Sequence, residues 1–90
     1  MSHGTKLLKK KLLYRSCNRG CKENDLILGN FVVNNINNLT THELHLLYNF
    51  LDEQDNDIFK WITGQQIIPD TLQNSLMIKI IHYNKMKKIV

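Results

Sequence analysis

Apolar positions along this chain recur at helical spacing almost throughout. The first amphipathic stretch, residues 6–18, sets Leu8, Leu12 and Leu13 on one face with Leu7 beside them. Gly20 follows, where a helix-terminating glycine with positive φ is expected. A second helix is predicted from about Glu23, because Glu23 and Asp25 suit the positive end of a helix dipole. It carries Leu28, Phe31 and Val32 at i, i+3 and i+4. Gly29 inside it costs about 1 kcal/mol against alanine, which marks a close helix contact. Phe31-Val32-Val33 would also suit a strand by propensity. Four asparagines around Ile36, residues 34–38, break the pattern.

Thr40 and Glu43 form a capping-box pair ahead of a third helix, with Leu44, Leu47, Tyr48 and Leu51 as its apolar face. Asp55 is the expected N-cap of a short fourth helix bearing Ile58, Trp61 and Ile62, closed by Gly64. Asp70 and Gln73 repeat the capping pattern before a last helix with Leu72, Leu76, Met77, Ile80 and Tyr83 inward. The expected fold is all-α, a compact five-helix bundle in one domain, residues 1–90, with flexible ends at 1–5 and 85–90. Trp61 is expected to be buried in it.

Ninety residues supply one thin core, too little for a deep substrate pocket and a cofactor domain together. That favours a binding module over an enzyme. The net charge of +4 is unevenly spread. The first 22 residues hold Lys6, Lys9, Lys10, Lys11, Arg15, Arg19 and Lys22 and no acid, and all acids lie between Glu23 and Asp70. Such ends could suit nucleic acid, an anionic membrane or an acidic protein. Only two of the twelve cations are arginine, aromatics interleave poorly with them, and no recognition-helix motif is present, so nucleic acid is not the expected partner. A small basic nucleic-acid-binding or regulatory protein is the alternative reading. No apolar run reaches membrane-span length, and no membrane partner is expected.

Candidate chemistry is sparse. Cys17 and Cys21 are four apart, and His42 and His45 three apart; neither spacing is that of a structural zinc site. No Cys–His pair has an orienting third group in local sequence, and Asp55 and Asp57 read as helix-start acids. Neither a metal set nor a cofactor-binding set is expected in the chain. The remaining feature is Arg19-Gly20-x-x-Glu23. Physically it reads as a helix corner: a basic last turn, a glycine cap, then an acid in the next first turn. A bare glycine between opposite charges would also let a partner's backbone approach closely.

Residues 15–31, RSCNRGCKENDLILGNF, resemble the signature of the bacterial FAD assembly factors of succinate dehydrogenase and their mitochondrial counterparts. The hallmark RGxxE is Arg19, Gly20 and Glu23. The acid and leucine-rich run ending in Gly-x-Phe are Asp25, Leu26, Leu28, Gly29 and Phe31, and a later Asp-x-Asp and Trp helix are Asp55, Asp57 and Trp61. The resemblance implies a five-helix bundle without enzymatic activity. It would bind, as a monomer, the flavoprotein subunit of succinate dehydrogenase, or of fumarate reductase, and promote covalent FAD attachment. It also implies partner contacts at Arg15, Arg19, Gly20, Glu23 and Asp25. The family's first helix aligns with residues 6–18, which leaves only Met1 to Thr5 ahead of it; on that ground a bacterial cytoplasm is expected, ahead of the mitochondrial matrix.

Overall fold

The computed structural model describes residues 3–87, with side chains from Thr5 onward. Among them are five α-helices and no strand: α1 (His3–Cys17), α2 (Lys22–Asn35), α3 (Thr41–Phe50), α4 (Asp55–Ile62) and α5 (Ser75–Lys87). Short 3₁₀ turns, Ile36–Asn38 and Asp70–Leu72, precede α3 and α5. Of the ends expected to be flexible, residues 3–5 and 85–87 are helical, and 1, 2 and 88–90 lie outside the described residues.

α2 is the central element, packed on α1, α4 and α5, while α3 closes over α1 and α5. Its buried row is Ile27, Leu28, Phe31 and Val32, so the Phe-Val-Val stretch is helical and not extended. Gly29 is the close contact its position suggested. A Cβ there would lie 3.2 Å from Cys17 Sγ and 3.3 Å from the Ser16 carbonyl oxygen. The fully buried Ser16 and the bare α-carbon of Gly29 let α1 and α2 approach closely. At the far end Asn84 Nδ2 donates to the carbonyls of Ile27 and Ile80, tying α5 to α2.

Several local expectations are corrected. Of its leucines α1 buries only Leu12 completely; Leu8 and Leu13 are half-buried and Leu7 is exposed, because α1 covers one edge of the bundle. On α3 Phe50 enters the core, and Tyr48 stays at the surface beneath the Arg15 guanidinium, 5.3 Å from its ring centroid. Asp55 does not cap α4; Gln54 holds the cap position and the Asp55 carboxylate is engaged elsewhere. The Asp70–Gln73 capping box does not form. Asp70 opens a 3₁₀ turn, and Asn74 caps α5 instead, its Oδ1 accepting from Met77 N at 3.0 Å. That later start brings Leu76, Met77 and Ile80 inward together.

The Thr40–Glu43 capping box is present in both directions. Glu43 is also the acceptor at the α3–α5 contact, taking bonds from Lys79 Nζ and Ser75 Oγ, both at 2.8 Å. Burial pushes its carboxyl up, but Lys79, the Thr40 backbone and Ser75 outweigh that and hold it down at about 2. A depressed carboxylate stabilises the fold fully above its unfolded value of 4.5 and loses that contribution as pH falls toward 2. We therefore expect the thermal midpoint to drop between pH 4.5 and 2, with Glu43 supplying at most about 3 kcal/mol of that loss. Glu43→Gln should flatten this acid limb in melts recorded across the same range; an unchanged limb would refute the assignment.

Candidate functional site

The corner between α1 and α2 is where the RGxxE residues meet. α1 ends at Cys17 and α2 begins at Lys22, so four residues reverse the chain. Gly20 sits at φ 85°, the left-handed region that a side chain disfavours by about 1–2 kcal/mol. Nothing lies within 4 Å of where its Cβ would be, so the glycine is needed for backbone conformation and its outer side is open.

Arg19 points inward. Nε donates to Asp55 Oδ1, Nη1 to the Leu51 carbonyl at 2.8 Å and Nη2 to the Glu53 carbonyl at 2.8 Å. Its side chain is 11% exposed, so most of it lies inside the fold. Leu51 and Glu53 belong to the end of α3 and the turn after it, where carbonyls lack helical partners and the dipole favours a cation. Asp55 opens α4. One guanidinium therefore bolts the α3–α4 turn to the α1–α2 corner. Asn24, fully buried, adds bonds from Nδ2 to the Asp55 carbonyl at 2.8 Å and to Oδ1 at 3.1 Å. Burial pushes the Asp55 carboxyl up, but the bonds from Arg19 and Asn24 and the charge of Arg19 win, so it lies below the ordinary range.

Asp25 completes the corner from the other side, with Oδ1 accepting from Arg19 N at 2.9 Å. Of the five residues singled out from sequence, Arg19 and Asp25 are thus engaged in holding the corner's shape. Arg15 pairs with Asp52 at 2.8 Å along the α1–α3 seam. Gly20 and Glu23 are left exposed. The only hydrogen bond of the Glu23 carboxylate among the described residues is a long one from Cys21 Sγ at 3.7 Å. Glu23 and Cys21 line a shallow pocket of about 280 Å³ with Asp55, Asn56 and Phe59. An acidic rim over an aromatic floor suits a donor or cationic group.

Sequence reading did not single out Asn24, and it took Asp55 for a cap. The one signal was that the resemblance singled out Asp55 together with Arg19, the two residues that the structure joins. The cysteines flank the corner and are both free. Burial, with the charge of Asp25, pushes the Cys17 thiol up and disfavours the thiolate needed for nucleophilic or metal chemistry. Among the described residues no group of three His, Cys, Asp or Glu side chains could hold a metal ion, and no helix is long and apolar enough to cross a membrane.

A family model described as the flavinator of succinate dehydrogenase matches residues 10–84, which include the whole corner and its braces. The mitochondrial succinate dehydrogenase assembly factor 2 of Dictyostelium discoideum is 40% identical over 78 residues, 87% of this chain and 55% of that protein. Its counterpart from Arabidopsis thaliana is 34% identical over 79 residues, 88% of this chain and 42% of that protein. The FAD assembly factor SdhE of Acetobacter pasteurianus is 24% identical over 80 residues, 89% of this chain and 73% of that protein. No solved structure matches the chain. The chain spans about half the length of the mitochondrial relatives. These matches correct the expectation of a bacterial cytoplasmic location, since relatives at 34–40% identity are named mitochondrial. The few residues ahead of α1 carry no weight in that question when relatives are twice as long.

Proposed function

The chain belongs to the family of succinate dehydrogenase flavinators, and from that premise we propose that it is a non-enzymatic assembly factor that binds the flavoprotein subunit of succinate dehydrogenase and promotes covalent attachment of FAD. The flavoprotein subunit of fumarate reductase is a second client of the same kind. The factor acts as a monomer, without a cofactor of its own, and the bond-forming chemistry stays with the flavoprotein. Its task is to hold the partner in a competent arrangement.

The observation that carries this reading is the division of labour at the corner. Arg19, Asp25, Asn24 and Asp55 are bonded to one another or to neighbouring backbone, and they fix the loop from within. Gly20 and Glu23 then face outward on a pre-shaped surface, which lowers the ordering cost of binding. Gly20 admits a close backbone, and Glu23 offers an acceptor beside it. Arg15 lies in the last turn of α1, four residues before Arg19, and extends the contact along α1.

The test is Glu23→Ala. As a helix-start acid alone, its loss should cost less than about 1 kcal/mol and leave function intact. As a docking residue, its loss should keep the melting temperature but abolish most flavinylation. Flavin fluorescence of the denatured flavoprotein subunit, after co-expression with either form, reads the outcome. Wild-type flavinylation with Glu23→Ala would remove Glu23 from the interface.

A further inference from the structure

A second surface lies along the seam between α1 and α3. Leu7, Leu8, Lys10 and Lys11 from α1 face Thr41, His45 and Tyr48 from α3 across a groove of about 670 Å³. Leu7 is 65% exposed at its wall and Tyr48 39% exposed, although both are large apolar side chains in a small bundle. Lys10 and Lys11 are exposed on its rim and have no ion-pair partner among the described residues. None of the residues lining the groove is acidic. An apolar floor with an unpaired basic rim is complementary to an amphipathic segment whose polar side is acidic.

The groove is joined to the corner by direct contacts. Tyr48 at its edge lies under Arg15, Arg15 pairs with Asp52, and the adjoining carbonyls of Leu51 and Glu53 are held by Arg19. From Lys11 to the end of α1 at Cys17 is roughly 9 Å at the helical rise, and the corner begins at the next residue. A protein interface of ordinary size, about 800 Å² per partner, covers that distance. A partner seated on Gly20 and Glu23 can therefore reach the groove without a second molecule.

We propose that the α1–α3 groove holds an acidic amphipathic segment of the same flavoprotein, with apolar side chains against Leu7, Leu8 and Tyr48 and carboxylates toward Lys10 and Lys11. This rests on the reading of the flavoprotein as partner and adds a second anchor to the corner. The groove contributes affinity and encounter rate, while the corner contributes the competent arrangement.

The experiment is titration of the purified flavoprotein subunit with the full chain, with Leu7→Ser, with Lys10→Glu/Lys11→Glu together, and with Glu23→Ala. The groove positions are exposed, so melting curves should match wild type. Leu7→Ser should weaken binding by about tenfold, the effect of losing one buried leucine anchor. The lysine reversal should weaken it comparably and flatten the salt dependence of the association rate. Wild-type affinity in both groove variants, with Glu23→Ala weakened, would overturn the groove and keep the corner. Absence of wild-type binding would overturn the partner reading and the groove with it. Binding to phosphatidylserine vesicles or to single-stranded RNA that the lysine reversal abolishes, with flavoprotein affinity untouched, would assign the basic rim to those ligands and overturn the proposal.

Discussion

Replacing Trp61 with alanine should bring the protein close to unfolding at physiological temperature. Trp61 is 6% exposed on α4, with Phe50 of α3 at 6.2 Å between ring centroids and Ile58 and Ile62 buried on the same short helix. Truncating a buried tryptophan costs about 3–5 kcal/mol. A domain of this length has a total stability of only about 5–13 kcal/mol at ordinary per-residue values. The eight-residue α4 has no side-chain cap bond and is too short to persist alone, so it depends on this contact. Trp61→Phe should be far milder. The Trp61 Nε1 donates to no acceptor among the described residues, so phenylalanine gives up volume but no hydrogen bond seen there. Urea denaturation of the two variants checks the expectation. A cooperative Trp61→Ala transition at the wild-type midpoint would mean that α4 is held some other way.

The bundle was legible where local chemistry acts alone. Helical periodicity located α1 to α5, the Thr40–Glu43 box set the start of α3, and Gly20 marked the left-handed corner. What could not be read locally was the use of polar residues over long separations. Arg19 and Asp55 are 36 positions apart, Asn24 and Asp55 31, and Glu43 and Lys79 36. Each of these side chains has a sufficient local explanation as a cap, a basic last turn or a solvated charge. No periodicity argument tells an asparagine in a first turn from one reaching across the bundle. The same blindness affected faces. Tyr48 and Leu7 fit an inward pattern and remain at the surface, because α1 and α3 leave a groove where a tighter pair would have closed. The family resemblance did single out Arg19, Asp25 and Asp55 together, without saying which residues were braces and which were contacts.

That distinction makes Arg19 the most informative position. From sequence it belongs with Glu23 as one of two charges flanking a docking glycine. In the structure its guanidinium is spent on Asp55 and on two carbonyls after α3. Removing it leaves the carbonyls of Leu51 and Glu53 without their side-chain donor and the Asp55 carboxylate with only the Asn24 bond, and it removes the guanidinium link between the α3–α4 turn and the α1–α2 corner. Breaking a largely buried ion pair from one side costs about 3–5 kcal/mol, and the partial exposure of Asp55 places this case at the lower end. Arg19→Ala should therefore lower the unfolding free energy by about 3 kcal/mol, whereas Glu23→Ala should scarcely move it. Arg19→Lys should recover little, because a lysine has one nitrogen to place where the fork places three. Both alanine variants should lose flavinylation, but by different routes. Arg19→Ala should regain part of it at low temperature or with added stabilising osmolyte, as the folded population recovers. Glu23→Ala should not, since its folded population is already full. Equal melting temperatures for Arg19→Ala and wild type, with flavinylation lost in the variant, would return Arg19 to the docking surface and reverse its assignment as a brace.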